Sequence, residues 1–236
     1  MNNGRRTFSE AEREHLVRLY DGNLAFADRE FGRLRATLER LGLWERTVVI
    51  VTADHGEALY EHGHIGHIEQ LYEQSIHVPL IIRLPRTSGV SGVRVGALVS
   101  LLDVAPTIAD LFGVLGKGGS AEQFQGTSLL PAIFGAAGRP WVSVRSSHDK
   151  SRYAIRDDRF KYIYNTSSGI EELYDLQADP DERRSLAAAD PLGCAFYRQR
   201  LFAWILDERR GEAAVGKGAE LTAEQIENLK ALGYLK

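Results

Sequence analysis

The run TVVIVTA, residues 47–53, passes straight into Asp54, His55 and Gly56. Val48 to Val51 are all apolar and β-branched, and so short a run bounded by polar residues reads as one buried strand. In open α/β sheets, ligands bind outside the carboxyl ends of strands, so a strand ending in a carboxylate and an imidazole marks a candidate site. Glu57, Glu61, His62, His64 and His67 follow within a dozen positions, and a second apolar strand, Leu80 to Ile82, returns behind Pro79.

Helical periodicity precedes this stretch. Ser9 with Glu12 three positions on makes a capping box. Leu16, Tyr20, Leu24, Phe31, Leu34, Leu38 and Leu41 recur at spacings of mostly three or four, which predicts a helix with one buried face. Gly42 suits a left-handed stop. Helix, strand, loop and strand in that order is the alternation of an α/β fold. Further on, Gly89 to Gly96 reads as a turn region and Val95 to Leu102 as another short strand. Asp103 reads as the N-cap of a helix with Pro106 in its first turn, Val104, Ile108, Leu111 and Phe112 facing inward, and Gly113 as its stop.

The pattern changes near Gly138. Trp141 to Arg145, Tyr153 to Arg156, Phe160 to Tyr164 and Leu173 to Leu176 are short, β-prone and separated by turn signals, which predicts an antiparallel sheet. Tyr153, Tyr162, Tyr164 and Trp141 read as core and cross-strand pairs. Pro191 to Arg210 reads as a helix lying on that sheet, Gly211 to Gly218 as a link, and the Thr222–Gln225 capping box as the start of a last helix ended by Gly233. Two units are expected: residues 1–138, part of an α/β domain, and residues 139–236, a small α+β subdomain.

Composition narrows the function classes. A net charge of -3, from 29 basic and 32 acidic residues, offers no basic face for nucleic acid. No apolar run approaches the length of a membrane span. The single cysteine, Cys194, forms no intrachain disulfide. The first fifteen residues lack the apolar segment of a secretory signal, which leaves localisation open.

The strings "TADHGE", "EHG..GH" and "LYEQSIHVPLII.LP", in that order and at that spacing, resemble the sulfatase family of the alkaline phosphatase superfamily. "VSLLDVAPTIADLFGV", "ELYDL..DP.E...L" and "LTAEQIENLKALGYL" continue the resemblance. It implies a partial alkaline-phosphatase-like mixed sheet flanked by helices, with a small antiparallel C-terminal subdomain. The implied activity is sulfuric ester hydrolysis, with a sulfate ester as substrate. Phosphoester or phosphonate hydrolysis in the same superfamily is the rival, and a remnant that only binds metal or a partner is a second.

The resemblance assigns Asp54 and His55 as ligands of a divalent metal, calcium first, with magnesium, manganese or zinc as alternatives. Oxygen donors suit hard ions, while imidazole widens the choice. His67 stands where many sulfatases carry a lysine. A cation there binds sulfate oxygens and offsets charge on the leaving oxygen, so His67 is the expected catalytic and substrate-binding residue. His62, His64 and His67 could alternatively form a zinc cluster of their own. Glu57 has no assigned role, His77 either reaches the site or only packs, and His148 reads as a loop residue.

The family's nucleophile is a formylglycine made from the Cys or Ser of a Cys/Ser-x-Pro-x-Arg segment. Neither Cys194 in "GCAFYRQ" nor Ser151 before "RYAI" fits that pattern. The resemblance therefore covers the C-terminal half of the family's domain, and the chain reads as a fragment. That reading expects weak metal binding, self-association or a complementing N-terminal half, and no turnover by the chain alone.

Overall fold

The computed structural model describes residues 7–67, 70–117, 124–145 and 151–214, with side chains followed as far as residue 207. The chain opens with α1 (Glu10–Arg40), and the capping box is formed: the Ser9 hydroxyl accepts from the Glu12 amide, and the Glu12 carboxylate accepts from the Ser9 amide. Gly42 takes φ 66°, as a left-handed stop requires. The expected buried face is not buried. No residue of α1 is buried, and Leu24 is 60% exposed. Among the described residues the helix packs mainly against the turn after it and one short strand, and much of its apolar stripe stays exposed. The pairs Glu14–Arg18 and Arg35–Glu39, both at 2.9 Å, add about 0.3–0.5 kcal/mol each at this exposure.

β1 (Val49–Thr52) pairs antiparallel with β4 (Leu80–Arg83), Ile50 opposite Ile82. Between them lie β2 (Ala58–Leu59) and β3 (Ile65–Gly66), a two-stranded hairpin, and one helical turn, α2 (Glu73–Ile76). β1 was expected to be buried, yet Thr52 and Val51 are exposed and Ile81 of β4 is 61% exposed. Among the described residues this ladder has only two strands, so its faces lack the layers that would cover them.

The expected strand at Val95 to Leu102 does not form: residues 92–100 have no ladder partner, and 101–103 make a 3₁₀ turn. Helix α3 (Val104–Leu111) follows, but its inward residues are Pro106 and Thr107, while Phe112 is 77% exposed. Asp103 does not cap α3 through its side chain. It is fully buried and accepts from the Ser100 amide at 2.7 Å and the Thr127 amide at 2.9 Å, with Arg139 paired to it. Asp103 is thus a clasp joining the 3₁₀ turn to the segment before α4 (Leu130–Ile133). The backbones meet closely there: a Cβ on Gly126 would lie 2.0 Å from the Leu102 carbonyl oxygen.

The C-terminal part matches its pattern. β5 (Val142–Arg145), β6 (Arg152–Arg156), β7 (Phe160–Asn165) and β8 (Glu171–Asp175) form one antiparallel sheet in sequential order. Side-chain alternation gives it two buried faces. Tyr153, Ile155, Tyr162 and Leu173 face α5 (Pro191–Ala214), which supplies Cys194, Tyr197, Leu201 and Ile205. Ala154, Ile163 and Tyr174 face Leu71, with Tyr72 and Ile76 alongside. Tyr153 and Tyr164 are register partners as expected, whereas Trp141 remains exposed beneath Arg200. Burial raises the Cys194 thiol pKa, which suits a packing role. α5 continues to Ala214, where the link from Gly211 was expected; the rest of that link, the last helix and His148 lie outside the described residues.

Lys161 on β7 is fully buried. Its Nζ lies 2.7 Å from Glu182 and 3.2 Å from Glu73, and Arg156 holds Glu73 at 2.6 Å. Burial lowers the Lys161 pKa and raises that of Glu182, and each partly offsets the other. Replacing Lys161 with Met strands the buried Glu182 carboxylate, leaves Glu73 to Arg156, and is expected to cost about 3–5 kcal/mol in urea unfolding. The pair Lys161→Met with Glu182→Gln recovers part of that loss.

Asp157, in the β6–β7 turn, titrates with a definite sign. Burial raises its pKa, but donation from the Tyr197 hydroxyl at 2.6 Å and the Phe160 and Arg159 amides outweighs burial and holds it below the usual carboxylate range. That stabilisation is present above the unfolded-state pKa and disappears as pH falls through the lowered folded value. Tyr197→Phe should cost roughly 1 kcal/mol at neutral pH, and less in acid, as read by urea midpoints across the two pH values.

Candidate functional site

β1 ends at Thr52, and the chain turns through Asp54, His55 and Gly56 before the β2–β3 hairpin. The turn is held from behind. The Gly56 amide donates to the Ser75 carbonyl at 2.8 Å, and a Cβ at Gly56 would sit 2.0 Å from the Gln74 carbonyl oxygen. Only glycine lets α2 approach so closely.

The Asp54 carboxylate accepts from the His55 amide at 3.0 Å, and its Oδ1 stands 3.6 Å from His55 Nε2. His55 Nδ1 lies 2.9 Å from the Gly56 carbonyl. A carbonyl only accepts, so Nδ1 is the donor, and in the neutral ring Nε2 is the nitrogen left to bind a metal. Two donors bound to one cation at about 2.0–2.5 Å each lie about 3 Å apart. Asp54 and His55 therefore fit as part of the coordination shell of a divalent ion. They supply two donors, where calcium takes about six to eight oxygens.

The hairpin brings His67 back over His55. Ala58 pairs with Gly66 and Leu59 with Ile65, which sets Glu57 and His67 as the next cross-strand neighbours. Gly66 at φ 97°, Tyr60 at 95° and His62 at 50° make the tight reversal. His67 Nδ1 donates to the Glu57 carboxylate at 2.8 Å, and its ring stacks on His55 at 3.8 Å between centroids. His55, Glu57 and His67 each offer a ligand atom, all within 4.8 Å of one another.

Asp54, His55 and His67 are thus gathered at one loop cluster. Glu57, which had no assigned role, orients His67. The strand alternation that places 57 opposite 67 could have shown this, had the hairpin register been known. His62 is elsewhere: its ring stacks on Tyr72 at 3.8 Å, so among the described residues His62, His64 and His67 do not assemble a cluster. Tyr72 in turn donates to Glu172, as does Tyr174, and burial followed by that carboxylate raises the Tyr72 pKa. His77 is exposed, 3.5 Å from Glu73, and does not reach the loop cluster.

Residues 2–114 match the sulfatase family profile, and residues 61–193 match the profile for N-sulphoglucosamine sulphohydrolase, C-terminal. The chain belongs to the sulfatase family. Among its relatives, arylsulfatase K of Bos taurus is 33% identical over 199 residues, covering 78% of this chain and 35% of that protein. Arylsulfatase K of Homo sapiens is 31% identical, covering 78% and 36%. A solved 2-O GAG sulfatase superposes with a TM-score of 0.74 at 23% identity, over 90% of this chain and 48% of that one. Phosphonate monoester hydrolase of Agrobacterium radiobacter gives 0.65 at 28% identity, over 78% and 40%. This sulfatase-family chain spans about a third of the length of the curated relatives it matches.

The close approach at Gly56 makes a direct test. Gly56→Ala should push α2 away from the turn and cost about 1–3 kcal/mol by urea unfolding. Amide exchange at residues 54–57 should rise more than exchange in β6 and β7.

Proposed function

We propose that this chain carries the metal-and-anion part of a sulfuric ester hydrolase active site. The observation that carries the reading is the convergence of Asp54, His55 and His67 on one loop cluster, in a chain of the sulfatase family. Asp54 and His55 would hold a divalent ion, calcium before magnesium, manganese or zinc. That ion, when bound, supplies positive charge to a sulfate ester.

The residues of this chain do the rest by position. Glu57 fixes the Nδ1 proton of His67 and so leaves Nε2 as the free nitrogen. With Nε2 also protonated, as the imidazolium cation, His67 would donate a hydrogen bond to a sulfate oxygen or to the leaving oxygen. Donors aimed at developing charge in a water-poor site are worth about 10²–10³ in rate. The nucleophile would come from a formylglycine-bearing segment outside these 236 residues, since none of them stands in a Cys/Ser-x-Pro-x-Arg setting. That segment, or the protein region carrying it, is the proposed partner. The exposed faces of α1, β1 and β4 offer it apolar surface.

Phosphonate or phosphate monoester hydrolysis is the second reading, favoured by the likeness to the Agrobacterium radiobacter hydrolase at 28% identity. The oxidisable Cys or Ser, against a plain Ser or Thr nucleophile, separates the two.

The test has two stages. The purified 236-residue chain should show no turnover of an aryl sulfate, and a competent rate would remove the need for a second segment. When a formylglycine-bearing sulfatase segment restores hydrolysis, His67→Ala should lower kcat by roughly 10²–10³. Asp54→Asn should raise the metal concentration needed. Unchanged kcat in His67→Ala would overturn the role given to that residue.

A further inference from the structure

The geometry points to a second metal site, one for a borderline divalent cation such as Zn²⁺, formed by His55, Glu57 and His67 without Asp54. The donor set is two imidazoles and one carboxylate, with donor atoms within 4.8 Å of one another. Calcium and magnesium favour oxygen shells, whereas two nitrogens and an oxygen suit zinc. Three protein ligands with a fourth position left to water is the arrangement of an open zinc site.

The site is local, which distinguishes it from the Asp54–His55 pair. That pair needs further donors from elsewhere. The three-residue set is completed within thirteen residues by hairpin register: Ala58 opposite Gly66 carries Glu57 opposite His67. The Gly56–Ser75 hydrogen bond then holds His55 beneath them. The His55 and His67 rings now stack at 3.8 Å, 22° from parallel, so one ring must turn for both lone pairs to converge on the ion. Binding through His67 Nδ1 would displace the proton it now gives to Glu57.

The site uses His55 and His67, so zinc and the proposed hydrolytic arrangement exclude each other. That consequence rests on the proposed function; the site itself does not. Zinc bound here would take His67 from a sulfate oxygen and His55 from Asp54.

The test uses the tag-free 236-residue chain. Zn²⁺ is titrated against a chromogenic zinc indicator, and Co²⁺ is added as a spectroscopic substitute. One ion per chain and a tetrahedral-type Co²⁺ absorption are expected from the unmodified protein. Glu57→Gln and His67→Gln should each weaken Zn²⁺ by at least about tenfold. His62→Gln should leave it within about twofold. Unchanged affinity in both Glu57→Gln and His67→Gln, or a purely octahedral Co²⁺ spectrum, overturns the site. The spectrum keeps the test decisive if a variant misfolds. Calcium titration of Asp54→Asn runs alongside: a calcium site that ignores Asp54 would refute the hydrolytic reading and leave the zinc result standing.

Discussion

Lys161 sits inside the protein with its ammonium between the carboxylates of Glu73 and Glu182, and the position of the loop cluster depends on that contact. A buried ammonium is costly unless paired, so β7 holds α2 wherever Glu73 can reach it. Glu182 fixes the same turn a second way, since its carboxylate accepts from the Glu73 amide at 2.6 Å. α2 then holds Gly56 through Ser75. The sheet of the C-terminal subdomain thereby sets where β1 delivers Asp54 and His55, although no sheet residue belongs to the cluster.

A second tie runs in parallel. His62 stacks on Tyr72, and the Tyr72 and Tyr174 hydroxyls share the Glu172 carboxylate. The hairpin tip is thus linked to β8, while its base is linked through α2 to β7. Two attachments fix the hairpin's direction, and direction is what a cluster of side chains needs. His62, stacked on Tyr72, serves structure, while the rings of His55 and His67 stay partly exposed at the loop cluster.

The N-terminal part has a different character. α1 is long and correctly capped, yet it buries nothing, and β1 and β4 pair only with each other among the described residues. Its apolar side chains lie on uncovered faces. By contrast, the C-terminal sheet is covered on both sides and, with α5, holds most of the buried hydrophobic residues. Stability is therefore concentrated in the subdomain that supports the site and is thin in the strand that presents it.

Local pattern was enough for what depends on neighbours in sequence. The capping box at Ser9, the left-handed stop at Gly42, the four C-terminal strands and the strand-to-loop junction at Asp54 could all be read from the chain, because caps, glycine stops and strand periodicity are short-range. The family resemblance singled out Asp54, His55 and His67, and the fold brings these three side chains to one loop cluster. Burial was not legible: Leu24 and Ile81 look like core residues, but burial depends on what lies opposite. The missing strand at Val95 to Leu102 is the same case, since a strand exists only with a partner. Tertiary structure alone decided that Asp103 clasps Thr127, that Glu57 meets His67 and that Lys161 anchors α2. Each joins groups whose meeting depends on hairpin register or on distant segments folding together, and those are settled by packing rather than by local propensity.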